Sequence, residues 1–257
     1  MSKVFITGSA DGLGQMAAKL LVADGHKVVL HARSIQRAKE AFAAVPGADT
    51  AVAGDLSTIA GCRDVARQVN AMGVFDAIIH NAGIGYREPR RVATADGLPM
   101  VFAVNSLAPY TLTCLITRPG RLIYLSSGLH RQGDESLEDL TWKERPWNGL
   151  NAYADSKLHD VIMAFAIARK WKEVLSNSVE PGWVATKMGG AGAPDSLEEA
   201  PRTQAWLAVS QDQAALVSGH HFYHQHLREF HPAAADPAVQ EKLLSAFAGL
   251  SGITFPA

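Results

Sequence analysis

Tyr153 and Lys157 stand four residues apart near the start of a run with helical period, Ala152 to Trp171. That spacing places both side chains on one helix face, so an ammonium can sit beside a phenol. A phenol with its ordinary pKa of ~10 is a poor base at neutral pH, and a neighbouring cation lowers that value by stabilising phenolate. Such a pair could deliver a proton to the alkoxide that develops when a hydride reaches a carbonyl carbon, or take it back in the reverse direction. Ser126-Ser127 ends an apolar run that starts at Arg121, and the Ser127 hydroxyl could hold the reacting oxygen. Taken alone, Tyr-x-x-x-Lys equally describes an exposed helix pair.

A hydride carrier needs a nucleotide site. Thr7-Gly8-Ser9-Ala10-Asp11-Gly12-Leu13-Gly14 joins an expected strand to an expected helix. Its glycines let the backbone turn tightly and approach a pyrophosphate resting on the positive helix end. A plain strand-to-helix turn would also fit. The next strand ends His31-Ala32-Arg33, where a carboxylate would bind the ribose 2'-hydroxyl of NAD. Arg33 instead offers a charged fork for a 2'-phosphate, which favours NADP over NAD, although an arginine facing solvent is the alternative. Asp11 is an unfavourable neighbour for that phosphate. Asp55-Leu56 could face the adenine edge, or Asp55 could serve the start of the next helix. Asn81-Ala82-Gly83 lets backbone pass beneath a cofactor, or simply ends a strand.

The elements that must position these residues alternate. Strands are expected at Lys3 to Thr7, Lys27 to His31, Asp49 to Ala53, Phe75 to His80, Arg121 to Ser126 and Ser176 to Glu180. Helices are expected at Leu13 to Ala23, Ile35 to Ala44, Thr58 to Ala71, about Met100 to Thr113 and Ala152 to Trp171, with Ser34 and Ser57 as N-caps and a kink or restart at Pro109. Near-continuous apolar strands predict burial on both faces, hence an α/β class with a Rossmann-type, doubly wound parallel sheet and helices on both sides. The expected organisation is a single domain over residues 1–257. Segments at about 128–150 and 187–201 interrupt it as substrate loops, the second leading into a short helix.

Taken in order, Thr7-Gly-x-x-x-Gly-x-Gly14, Asn81-Ala-Gly83, Asn105, Ser127, Tyr153-x-x-x-Lys157 and Pro181-Gly-x-Val-x-Thr186 resemble the short-chain dehydrogenase/reductase family. The resemblance implies Asn105, Ser127, Tyr153 and Lys157 as a catalytic tetrad, Asn105 holding a water of a proton relay behind Lys157. It implies that Lys157 also contacts the nicotinamide ribose, and that Pro181, Gly182, Val184 and Thr186 position the carboxamide. It places the catalytic serine at Ser127, with Ser126 pointing into the fold. It further implies a homodimer or homotetramer. Ser126-Ser-x-x-His130, Asp139-Leu and Tyr153-x-x-Ser-Lys-Leu158 are similar to the branch of retinol-dehydrogenase-like and WW-domain-oxidoreductase-like enzymes, which implies a hydrophobic carbonyl or alcohol substrate.

Composition excludes other classes. With 24 basic and 25 acidic residues, the chain offers no electrostatic footprint for nucleic acid. No apolar stretch approaches the roughly 20 residues that span a bilayer. Cys62 and Cys114 suggest reduced thiols rather than a disulfide framework, and no leader is read before Val4, so a cytoplasmic setting is expected. His220, His221, His224, His226 and His231 crowd one stretch without a ligand pattern, and no metal is expected there. Trp142, Trp147 and Trp183 could line a cavity or pack in a core, Trp183 being the better pocket candidate. A serine hydrolase is excluded by the lack of a G-x-S-x-G elbow. The remaining rival is a catalytically silent protein of the same fold that senses nucleotide for a partner.

Overall fold

The computed structural model describes residues 1–256. Strands and helices alternate: β1 (Lys3–Ile6), α1 (Gly12–Ala23), β2 (Lys27–Ala32), α2 (Ile35–Ala44), β3 (Thr50–Ala53), α3 (Ile59–Asn70), β4 (Ala77–His80), α4 (Met100–Phe102) and α5 (Ala108–Leu115). There follow β5 (Arg121–Leu125), α6 (Gly149–Lys170), β6 (Leu175–Glu180), α7 (Arg202–Val209), β7 (His221–Tyr223), β8 (His226–Leu227) and α8 (Pro237–Ser251). The sheet order is β3-β2-β1-β4-β5-β6-β7-β8. All neighbours are parallel except the last pair, β7 with β8.

Alternation along each strand sends successive side chains to opposite faces, so a strand apolar throughout serves two cores. Phe5, Val29, Ile78 and Tyr124 face a layer that includes α3, α5, α6 and α8. Val4, Ile6, Leu30, Ile79 and Ile123 face the layer of α1 and α7. This is the doubly wound α/β arrangement expected from the strand pattern. The chain reverses its winding between β1 and β4, which opens a crevice at the carboxyl ends of those strands.

Three local outcomes differ from the sequence expectations. The N-cap of α3 is Thr58, whose hydroxyl accepts from the Gly61 amide at 3.0 Å, while the Ser57 amide is held by the Asp55 carboxylate at 2.9 Å. The fourth helical segment does restart at Pro109, which lies in the first turn of α5, but the break takes the form of a π turn over Ala103–Leu107 that joins α4 to α5. Proline has no N–H, and its ring collides with the carbonyl four residues earlier, that of Asn105. Widening the turn, with the Ala108 amide reaching back to the Ala103 carbonyl, relieves that conflict. Last, Phe222-Tyr223, which suggest a strand or a loop, form β7, while β8 and α8 lie where no regular element is expected, the strands being too short to show a period. No helix among the described residues is long and apolar enough to cross a membrane.

Candidate active site

Residues at the carboxyl edge of the sheet meet around α6. Asn148 caps this helix by accepting from the Asn151 amide at 3.0 Å, and Tyr153 and Lys157 follow on one face. Both are buried, with the Lys157 Nζ 5.8 Å from the centre of the Tyr153 ring. The Lys157 ammonium donates to the Leu125 carbonyl at 2.6 Å, tying the helix to the end of β5, and to Asp160 Oδ2 at 2.8 Å. Burial works to lower the lysine pKa, and the charges of Asp160 and Tyr153 more than offset it, so Lys157 is held above its usual value. Burial likewise raises Tyr153, against the opposing pull of Lys157 and a hydrogen bond with Ser127. The cation thus limits a rise that burial causes. It does not bring the phenol below its ordinary value.

The two serines divide as expected. Ser126 turns inward and donates to the Lys157 carbonyl at 2.8 Å, whereas Ser127 faces the Tyr153 phenol. Ser127 also opens a short 3-10 turn, Gly128–Gln132, accepting from the Leu129 amide at 3.3 Å. His130 closes that turn: its Nδ1 lies 2.6 Å from the Ser127 carbonyl. Because a carbonyl only accepts, Nδ1 carries the proton. Asn105 lies in the π turn, with Oδ1 accepting from the Ile84 amide at 2.7 Å and Nδ2 donating to the Ile84 carbonyl and Ser156 Oγ, each at 3.0 Å. Both of its amide hydrogens and one lone pair of Oδ1 are thus taken by protein partners.

The glycine-rich loop interlocks with Asn81-Ala82-Gly83. Thr7 Oγ1 accepts from the amides of Asn81 and Ala82 at 3.0 Å, and Asn81 Nδ2 donates to the carbonyls of Thr7 and Gly8 at 3.0 Å. A side chain at Gly14 would overlap Asn81, and a Cβ at Gly8 would lie 2.7 Å from the Ala82 Cα. Ser9 is buried and bonds the Ile6 carbonyl and the His31 amide, each at 2.9 Å. His31 braces the loop from below, accepting from the Gly8 amide and reaching the Gly54 carbonyl, each at 3.0 Å.

The helix that follows has no side-chain cap at Asp11, in contrast to the side-chain caps of α2, α3, α6 and α8. Gly12, at φ +56°, has nothing within 4 Å of where a Cβ would stand. Uncapped amides beside open space form a cradle for an anionic group, so these residues fit the pyrophosphate of a dinucleotide. Leu13 enters the first turn of α1, and its carbonyl is reached by Gln204 at 3.5 Å. Asp11 is not left as a bare negative charge, because Arg37 at 3.0 Å and Lys187 at 2.9 Å both pair with it. Arg33 is exposed at the end of β2. Asp55 is exposed with one carboxylate oxygen taken by the Ser57 amide, and Leu56 is buried.

After β6, Pro181 leads to Gly182 at φ +89°, where a Cβ would meet Asp195. Asp195 accepts from the Trp183 amide at 2.6 Å, and the Trp183 ring donates to the Gly189 carbonyl at 3.0 Å. Val184 is buried, and Thr186 Oγ1 accepts from the Gly189 amide at 3.2 Å. Trp183 itself is 55% exposed, so it does not belong to the core. A separate apolar cluster surrounds Tyr153: Trp142 and Val101, with Tyr86, Leu129, Trp147 and Met188 partly buried against it. The 128–150 excursion brings both tryptophans here, anchored by Arg145 at 2.5 Å from Asp155 and stacked 3.8 Å over Trp142.

Sequence reasoning missed several contributors. Asp160 gave no signal beyond a lysine-aspartate spacing of three residues, and Arg37, Lys187 and His31 gave none. Of the crowded histidines, His221 joins His130 and Glu180 in a buried group whose ligand atoms lie within 4.8 Å of one another. His221 Nε2 is 3.6 Å from Glu180 Oε2, and Arg228 is 3.4 Å from the other oxygen, so the carboxylate already has counter-charge. Glu180 is accordingly held below its usual value despite burial.

The family model described as short chain dehydrogenase matches residues 2–137. An uncharacterised oxidoreductase of Emericella nidulans, AN7799, is 46% identical over 100% of this chain and 99% of its own length. The short-chain dehydrogenase chyC of Penicillium rubens is 40% identical over the full length of both. Human retinol dehydrogenase 13 is 29% identical over 98% of this chain and 85% of its own, in keeping with the branch that the motifs resemble. Among solved structures, an uncharacterised protein from Mycobacterium paratuberculosis shares the fold at a TM-score of 0.86 and 24% identity, covering 100% of this chain and 96% of that one. A blue fluorescent protein from a metagenomic library, solved with NADPH, does so at 0.69 and 23%, covering 86% and 95%. With the fold, the interlocked glycine loop and the tyrosine-lysine pair in place, and a full-length relative at 46% identity, the chain belongs to the short-chain dehydrogenase family and is an oxidoreductase of that family.

Proposed function

We propose that this protein interconverts an alcohol and a hydrophobic carbonyl compound with NADP(H), using Asn105, Ser127, Tyr153 and Lys157. The observation that carries the reading is a buried phenol one helical turn from a buried ammonium, inside an apolar cluster of Trp142, Trp147, Tyr86 and Met188. A bound nicotinamide would supply or accept the hydride. The chain supplies the rest.

In this reading Ser127 and Tyr153 share the reacting oxygen, and the Tyr153 proton passes to it as negative charge develops. Lys157 stabilises the phenolate left behind. Asn105 fixes the Ile84 backbone beside the lysine, and any relay water would fall to its main-chain carbonyl. Gly8, Ser9, Asp11, Gly12, Leu13 and Gly14 cradle the pyrophosphate, and Asp55, Leu56 and Asn81-Ala82-Gly83 line the adenosine side. Pro181, Gly182, Val184 and Thr186 would hold the carboxamide. Support for NADP over NAD comes from Arg33, exposed where a carboxylate would otherwise stand, and from the NADPH bound by the metagenomic relative in fold. The aromatic walls favour apolar substrates, with the 128–150 and 187–201 segments as substrate loops of one domain.

The test is NADPH oxidation followed against aliphatic, aromatic, retinoid and steroid carbonyls. Wild type should turn over an apolar member of the panel, and Tyr153→Phe should lose at least about 100-fold in kcat, in the range typical of a removed general acid, with NADPH affinity nearly unchanged. Full activity in Tyr153→Phe rejects the mechanism. Tight NADPH binding with no turnover of any carbonyl would favour the nucleotide-sensing alternative.

A further inference from the structure

Asp160 lies three residues beyond Lys157 on α6, and its Oδ2 is 2.8 Å from the ammonium. The carboxylate is 2% exposed and the lysine 5%, so the pair is closed from water. Burial pushes the Asp160 carboxyl up to about 7 against the pull of Lys157, the one charge acting on it among the described residues, so the pair is ionic above neutral pH, where the Tyr153 phenol titrates. The other titratable groups that feel Asp160 are neutral: Tyr124 from β5 and Tyr153 from α6 itself. Lys157 has three N–H donors, and Asp160 and the Leu125 carbonyl take two of them. The third is left for the side where Gly83 stands, whose absent Cβ would lie 3.8 Å from Nζ.

We propose that Asp160 is a positioning residue of the proton-transfer site: it is the counter-ion that keeps Lys157 an ammonium in a closed pocket, and it thereby sets the pH at which Tyr153 gives up its proton. The proposal rests on reading Tyr153 and Lys157 as the proton-transfer pair. A buried ammonium without a partner loses its proton readily, because burial penalises the charged form. Once neutral, it no longer stabilises phenolate. Asp160 also repels the phenolate directly, and its removal would favour ionisation. That effect is the smaller one, since Asp160 touches the ammonium while Tyr153 sits seven residues back, about 10 Å of helix rise. Removing the carboxylate therefore makes Tyr153 harder to ionise.

The experiment compares wild type with Asp160→Asn, which keeps shape and an oxygen acceptor but drops the charge. Phenolate absorbance is titrated in each protein without substrate and corrected by its Tyr153→Phe counterpart. Tyr153 should ionise about one pH unit higher in Asp160→Asn, and the acid limb of alcohol oxidation should move up with it. In a Lys157→Met background, Asp160→Asn should not raise the titration, because the rise runs through the lysine; only the direct repulsion is left there, and its removal can only lower it. With Lys157 in place, an unmoved or lowered titration overturns the proposal. If Asp160→Asn does not fold, the Lys157 side-chain nitrogen is followed by NMR in wild type, assigned with Lys157→Met; deprotonation below the ordinary lysine range overturns it equally. The phenol titration needs no substrate, so a wild type inert towards all carbonyls defeats the activity reading without deciding this one. Turnover lost in Tyr153→Phe beside an unmoved titration defeats only the role of Asp160.

Discussion

On the NADP reading proposed above, cofactor choice turns on Arg33. It is exposed at the end of β2, and the chain has no acidic residue there to receive a ribose hydroxyl. Arg37 lies within reach of the same loop but is already paired with Asp11 and Glu40, at 3.0 and 2.8 Å. Arg33→Asp should therefore weaken NADPH by about 10- to 100-fold, the value of one charge-assisted bond at about 1.5–3 kcal/mol, while leaving NADH binding equal or tighter. Calorimetric titration with both nucleotides checks this, and equal losses for both would refute the assignment. Arg33, Ser127, Tyr153 and Lys157 were legible in the sequence because each sits at the end of a readable element, where type and spacing define the chemistry. Asp160 was not, although it touches Lys157. A lysine and an aspartate three apart on a helix ordinarily form a solvated pair of small consequence, and only burial changes the meaning of this one. The meeting of Glu180 with His130 and His221 was hidden for a similar reason: it runs through β6, β7 and the turn after β5, far apart in sequence.

At the scale of elements, the glycine loop and the Asn81-Ala82-Gly83 turn form one interlocked unit. The sequence offered two separate motifs, each readable as a plain turn. The structure explains why they occur together: Gly14 is bare because Asn81 packs on it, and Gly8 because Ala82 does. Two substitutions separate steric from backbone effects. Gly14→Ala must push Asn81 off the Thr7 and Gly8 carbonyls, so a destabilisation of about 1–3 kcal/mol is expected, as for other overpacked sites, together with weaker NADPH binding. Gly12→Ala meets no neighbour and suffers mainly from its φ of +56°, a cost of about 1–2 kcal/mol. Urea unfolding measures both costs, and a Gly14→Ala protein as stable as wild type would contradict the interlock. The elements that escaped sequence analysis are those whose cause is not periodic. The π turn follows from a single proline acting on the residue four positions earlier. The strands β7 and β8 have three and two residues, and exist by pairing with β6 and each other.

For the molecule as a whole, four of the five buried histidines, bonded within the sheet, the loops at its edge or the helices packed on it, set its behaviour in acid. His31 holds the Gly8 amide, His80 bonds Thr113 and stacks on Tyr124, His130 grips the Ser127 carbonyl and His159 bonds Ser106. Burial pushes His31 and His130 down to about 4, and His80 and His159 down to about 3. Each is therefore neutral in the folded protein where the unfolded chain would already carry protons. The sign follows: their contribution is complete above the unfolded value of 6.5, and it is lost as pH falls from there towards 4 and 3. Each proton costs up to about 1.4 kcal/mol per pH unit, so four together can exhaust a typical stability of about 5–15 kcal/mol within a few pH units. Asp155 and Asp160 act the other way, since burial raises both and they take up protons in the folded state, but they are fewer and each is paired with a cation. Melting temperature should thus hold level above about pH 7 and drop steeply below about pH 6, as proton linkage requires of histidines buried in the neutral form. His80 is the cleanest probe, because its Nδ1 is buried without a partner. His80→Phe keeps the stacking on Tyr124 and removes the titration, so its melting temperature should decline less steeply in acid than that of wild type; identical slopes would show that protonation of the interior is not what limits the fold.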